Sequence, residues 1–184
     1  MVRCMNHYVA FLRGMNLGGR RIRNEELAAE FEALGLADVA CFRASGNVVF
    51  ASEERDEPTL TVRIEAGLGE ALGYAVPIFL REAAELREIA GREPFKPAAV
   101  AASEGKLQVA LLPAEPGSSA SKDALALATD EDRVAIEGRE LYWLPSGGIS
   151  ESDLDLKSLE GAVGPWTMRT MGTVKQIVAK HFSG

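Results

Sequence analysis

Five consecutive apolar residues, Tyr8-Val9-Ala10-Phe11-Leu12, are stopped at once by Arg13 and Gly14. A run of that length without alternation reads as a strand covered on both faces, because a half-solvated strand carries a polar residue at every second position. Such a strand needs neighbours on both edges and further layers above it. The residues that follow supply them. Asn24 reads as an N-cap with Glu25 and Glu26 well placed in the first turn; Leu27, Phe31 and Leu34 keep helical spacing, and Gly35 suits the end. Val39–Arg43 and Val48–Ala51 read as a hairpin joined through Ala44-Ser45-Gly46-Asn47. Pro58 opens a helix carrying Leu60, Ile64, Leu68 and Leu72, and Ala75–Leu80 is a strand whose Pro77 argues for an edge position or a bulge. The order β-α-β-β-α-β is that of the ferredoxin-like unit.

Glu82–Ala90 reads as one more helix, and Pro94 to Pro97 as a boundary. Beyond it the pattern starts again: strand Lys106–Leu112, loop Pro113–Ser121, helix Lys122–Ala128, and a hairpin of Arg133–Glu137 with Glu140–Leu144 across Gly138-Arg139. Ser152-Asp153-Leu154-Asp155 has the form of a helix start, and a last helix spans Thr173–Lys180. The expectation is therefore an α+β protein of two tandem ferredoxin-like subdomains, residues 1–92 and 93–184, the second reading β-α-β-β-α and so lacking its closing strand. The halves agree in element order rather than in residues.

Composition narrows the class. Apolar residues make up 47% and charged residues 26% of the 184, with no apolar run of membrane-spanning length. Tyr8–Leu12 is too short for the core of a secretory signal, and two cysteines, Cys4 and Cys41, are too few for a disulfide framework. These features point to a reduced, cytoplasmic protein. The formal charge of −7 is unevenly spread: residues 1–23 hold five arginines and no acid, 161–184 hold Arg169, Lys175 and Lys180 and no acid, and 24–160 carry 12 basic against 27 acidic residues. Termini that met in the fold would make a basic face on an acidic body, attracting small anions while repelling long polyanions.

Three segments carry candidate chemistry. Arg13-Gly14-Met15-Asn16-Leu17-Gly18-Gly19-Arg20-Arg21 leaves a strand and approaches a helix. Its glycines let backbone N–H groups converge on an anion, with Arg13, Arg20 or Arg21 adding charge-assisted bonds. It is neither a P-loop, since Arg20 and Arg21 replace the lysine and hydroxyl that chemistry needs, nor a dinucleotide fingerprint. Arg43-Ala44-Ser45-Gly46-Asn47 places Arg43 and Ser45 on one face of a strand, where guanidinium, hydroxyl and amide can meet one ligand. Ser45 and Asn47 equally suit the backbone of a turn. Thr167-Met168-Arg169-Thr170-Met171-Gly172-Thr173 precedes the last helix, with Gly172 or Thr173 as its N-cap and Arg169 adding charge. His7 and His181 stand near opposite ends with no zinc-like spacing, so no metal is read; Cys41 reads as core, and Trp143 and Trp166 as packing.

The segments Tyr8–Gly19 and Ser45-Gly46-Asn47-Val48-Val49-Phe50 resemble the bacterial domain-of-unknown-function family DUF1697, and Thr167–Val174 is similar to that family's closing Thr-Thr-Arg-Asn-Trp-Asn-Thr-Val pattern. Ala44, Thr170, Met171 and Gly172 depart from the family's Gln, Asn, Trp and Asn, while Arg169 and Thr173 keep it. The resemblance implies two tandem ferredoxin-like subdomains and no established activity or cofactor. The functional expectation is a small phosphate-bearing or other anionic ligand in a basic cleft between subdomains, held by Arg13, Asn16, Gly18, Gly19, Arg43, Ser45, Asn47, Arg169 and Thr173. An RNA- or protein-interaction module without enzymatic activity is the alternative. It ranks lower because no aromatic RNA-binding motif is present.

Overall fold

The computed structural model describes residues 5–15, 18–19, 21–44 and 46–183. The chain divides into two compact units, Met1–Arg87 together with Ile177–Gly184, and Glu88–Gln176. Each unit contains one four-stranded sheet, so the architecture is α+β.

The first unit runs β1 (Asn6–Leu12), α1 (Asn24–Ala33), β2 (Ala37–Cys41), β3 (Asn47–Ser52), α2 (Glu57–Leu72) and β4 (Ile78–Glu82), followed by the start of α3 (Ala83–Gly91). Its sheet has the order β2-β3-β1-β4, antiparallel throughout. β1 is a central strand, as its apolar run requires. Tyr8, Ala10 and Leu12 pack with Val48, Phe50, Ile78 and Leu80 against Leu27 and Phe31 of α1 and Leu60, Ile64 and Leu68 of α2. The alternate residues Val9 and Phe11 are also fully buried.

Several boundaries differ from the sequence expectation. Asn24 is the first helical residue rather than the cap of α1. Arg23 occupies the cap position, and its N–H donates to Glu26 Oε2 at 3.1 Å, so the satisfied orphan donor lies one residue earlier. Gly35 does follow the helix end, with φ +77°. β4 begins at Ile78, after Pro77, and lies at the sheet edge that proline favours. The α2 helix starts from Asp56, whose carboxylate accepts the Thr59 N–H at 3.0 Å.

The second unit holds the end of α3, then α4 (Pro97–Ala102), β5 (Gln108–Leu111), α5 (Ser118–Leu125), β6 (Asp132–Glu137), β7 (Glu140–Pro145), α6 (Leu156–Val163), β8 (Thr167–Thr170) and the first part of α7 (Met171–His181). Its order is β6-β7-β5-β8, again antiparallel. Two expectations are corrected. The Pro94–Pro97 stretch leads into α4, with Pro97 at a first-turn position where its missing N–H costs nothing. The closing strand exists: β8 pairs with β5 through Val109↔Arg169 and Ala110↔Met168. α5 also starts earlier than expected, at Ser118.

The core of this unit gathers Ala110, Leu112, Leu141, Trp143, Leu159 and Trp166. Buried polar groups in it are paired. Arg92 donates to the buried Glu140 carboxylate and to the Tyr142 hydroxyl at 3.0 Å, and burial pushes the Tyr142 phenol up to about 12. Trp143 Nε1 donates to Asp132 Oδ1 at 2.8 Å, and Ser152 Oγ donates to the same oxygen at 2.7 Å. Removing that acceptor strands the indole N–H in the core. Asp132→Ala is therefore expected to lower unfolding free energy by about 1–3 kcal/mol, read as a shifted denaturant midpoint.

Candidate functional site

The loop that leaves β1 is shaped by its glycines. Gly14, Gly18 and Gly19 have φ of +75°, +65° and +81°, a region cheap only for glycine. Arg13 starts the loop half-buried, its N–H donating to Pro77 O at 2.9 Å, and Met15 is buried in the core. The turn between β2 and β3 lies directly against this loop. Leu12 N–H donates to Gly46 O at 2.8 Å, and a Cβ on Gly46 would sit 3.0 Å from both Leu12 Cβ and Met15 Cγ. Asn47 closes the turn from beneath: fully buried, it donates through Nδ2 to Phe42 O at 3.0 Å and accepts the Phe42 N–H on its own carbonyl at 2.8 Å. Its visible role is the backbone one that suits asparagine in turns.

Arg43 stands in this turn and not on a strand, which corrects the alternation argument. β2 ends at Cys41, and Arg43 has φ +58°, so the side chain leaves the turn at an angle that strand periodicity does not give. It is exposed, with its guanidinium carbon 5.5 Å from the centre of the Phe42 ring. The C-terminal segment, part of this same unit, adds Lys180 Nζ at 5.8 Å from that ring and His181 edge-on at 6.2 Å. Two cationic side chains, Arg43 and Lys180, therefore stand near one aromatic ring, and the His181 ring meets its edge.

An open concavity of about 670 Å³ is lined by Arg21, Ile22, Arg23, Glu26 and Ala44. The end of the glycine-rich segment and the β2–β3 turn thus border one space. Arg21 and Arg23 are exposed there, and the Arg23–Glu26 pair is a loose surface contact of 3.9 Å that neutralises little. Sequence reasoning passes over Arg23, Phe42 and Lys180. The acid-free run of the C-terminus is the signal that points to Lys180.

Arg169 and Thr173 belong to the second unit. Arg169 is on β8 of the second unit, partly buried, with Nη1 donating to Thr167 Oγ1 at 2.9 Å and Met168 O at 2.8 Å. Burial pushes its guanidinium down to about 10, which leaves it charged at neutral pH. Thr173 is not the cap of α7. The helix begins at Met171, and the Thr170 hydroxyl accepts the Thr173 N–H at 3.1 Å. Asn16 and Ser45 lie outside the described residues. Cys41 is half-buried, its Sγ–H directed at Asn24 O at 3.3 Å, and burial with Glu25 nearby pushes the thiol up, away from nucleophilic character. Among the described residues no group of three or more His, Cys, Asp or Glu could hold a metal ion, and no helix is long and apolar enough to cross a membrane.

Two outcomes follow from this geometry. Gly46→Ala forces a left-handed conformation and a methyl into Leu12 and Met15, at a cost of about 2 kcal/mol, or roughly 4–8 °C in melting temperature for a chain of this size. Burial and Lys180 hold the His181 imidazole below its ordinary value, so the unfolded chain binds its proton more readily than the folded one. This contribution to stability is complete above the ordinary histidine range and falls as pH drops through it. A histidine NMR titration should show His181 titrating below the ordinary histidine range, and His181→Gln should flatten the acid limb of the stability profile.

Comparison with known proteins agrees with the fold. A solved structure described as that of conserved bacterial protein SP0830 from Streptococcus pneumoniae is similar at a TM-score of 0.74 and 17% identity, over 96% of this chain and 100% of that one. No curated protein matches the sequence. Residues 5–142 match the family described as "Protein of unknown function (DUF1697)", and the chain belongs to that family.

Proposed function

We propose that the first unit binds a small phosphate-bearing or other anionic ligand in the concavity bordered by the glycine-rich segment and the β2–β3 turn. The carrying observation is the placement of exposed Arg21 and Arg23 around one space with Ala44, whose neighbour Arg43 is also exposed. Guanidinium groups bind phosphate and carboxylate through paired N–H donors, and glycines in the left-handed region allow a loop to turn backbone N–H groups toward an anion. Both units are read as ferredoxin-like, a reading supported by β-α-β-β-α-β order and by sheets of order β2-β3-β1-β4 and β6-β7-β5-β8. The half-buried free thiol of Cys41 fits a reducing bacterial cytoplasm.

The test is a thermal-shift and calorimetric titration with orthophosphate, nucleotides and sugar phosphates. A ligand at a hundred times its Kd adds about 2.7 kcal/mol, roughly 5–10 °C here. Arg21→Ala and Arg43→Ala are each expected to weaken binding about tenfold. Silence across the panel, or a double variant that binds as tightly as the wild type, overturns the reading in favour of an RNA- or protein-interaction module.

A further inference from the structure

The two histidines of this chain, far apart in sequence, line one pocket of the first unit. It has a volume of about 400 Å³, within the range of about 300–1,000 Å³ typical of small-molecule sites, and is formed by Asn6, His7, Glu82, Arg87, His181 and Phe182 among others. The start of β1, the end of β4, α3 and the end of α7 each contribute. Two bonds fix its walls: Asn6 Nδ2 donates to Glu82 Oε1 at 2.7 Å, and Arg87 Nε donates to Phe182 O at 2.7 Å.

Those bonds leave functional edges unused. The second oxygen of Glu82 and the two Nη groups of Arg87 have no ion-pair or hydrogen-bond partner among the described residues, although the pocket brings both side chains to one space. A carboxylate and a guanidinium that share a pocket without joining can each hold a different end of a bound molecule. The His181 ring forms part of the same wall. Its Nε2 is the one buried side-chain nitrogen or oxygen without a hydrogen-bond partner among the described residues. Such orphans are rare, and this ring belongs to the pocket wall.

We propose that this pocket binds a small zwitterion of the amino-acid class, its carboxylate on the Arg87 guanidinium and its ammonium on Glu82, with the His7 imidazole beside them and the His181 ring in the wall. Fork-shaped pairing of guanidinium with carboxylate fixes one end, and the charge of Glu82 rejects simple anions. The site is separate from the concavity lined by Arg21 and Arg23, so either can fail alone.

The experiment follows the ring Hε1 signals of the two histidines by NMR during titration with free amino acids, and with acetate, methylamine and inorganic phosphate as single-charge probes. The expected result is a saturable shift of both signals with an amino acid. Its affinity should be at least about tenfold tighter than for any single-charge probe, be lost in Arg87→Ala and Glu82→Gln, and be kept in Arg21→Ala. Glu82→Gln retains an acceptor for Asn6, which guards against a loss caused by misfolding. No saturable shift with any amino acid, equal affinity for acetate or phosphate, wild-type binding by Glu82→Gln, or loss in Arg21→Ala overturns the proposal.

Discussion

Val9 of β1 faces Val49 of β3 in the middle of an antiparallel ladder that runs from Asn6↔Ser52 to Phe11↔Asn47. Both faces of this ladder are apolar, so side-chain alternation does not penalise a slip of one residue in the way it does for a half-solvated strand. The register is held at its end instead. Leu12 N–H closes on Gly46 O, Gly46 leaves no room for a side chain against Leu12 and Met15, and buried Asn47 bonds back to Phe42 O. These contacts press the β2–β3 turn onto the loop that leaves β1. The neighbourhood of Arg21, Arg23 and Arg43 is a consequence of strand register before it is a matter of charge.

Charge then decides what that neighbourhood can attract. The body of the sequence is acidic, yet the segment before α1 and the C-terminal stretch carry no acid, and both belong to the first unit from Ile177 onward. Lys180 and His181 reach Phe42 there, beside Arg43. Basic groups held by an aromatic ring lose less freedom on meeting an anion than basic groups on free chains. Glu26 lines the concavity and also caps α1 through the Arg23 N–H, so one carboxylate belongs both to the helix start and to the wall of that space.

The architecture was legible where periodicity was strong. Tyr8–Leu12, the Leu60, Ile64, Leu68 series and the Gly138-Arg139 hairpin all follow from apolar spacing and turn chemistry. Legibility failed where an element depends on its partner. Thr167-Met168-Arg169-Thr170 has no apolar alternation, and only pairing with β5 makes it a strand. Pro97–Ala102 has no buried face, so α4 leaves no stripe to detect. Arg43 was misplaced because a single left-handed residue ends strand geometry without any glycine to announce it. The shared pocket of His7 and His181 was invisible for a different reason: it depends on the end of α7 returning to the first unit, which no local pattern encodes.

The two units separate what the fold supplies from what a ligand needs. They agree even in detail: Arg81 lies opposite Val9 and Arg169 opposite Val109, and each donates Nη1 to the carbonyl of the residue before it, at 2.7 and 2.8 Å. Their first strand-to-helix connections do not agree. After β1 come glycines and arginines; after β5 come Pro113-Ala114-Glu115-Pro116-Gly117, with an acid, no base, and two prolines that remove backbone donors. A segment of that kind cannot gather N–H groups around an anion, although it joins the same two elements of the same sheet order. The proposed anion site of the first unit therefore rests on the residues of its loop and turn, and the second unit, with the same strand order and a different connection, is the internal control.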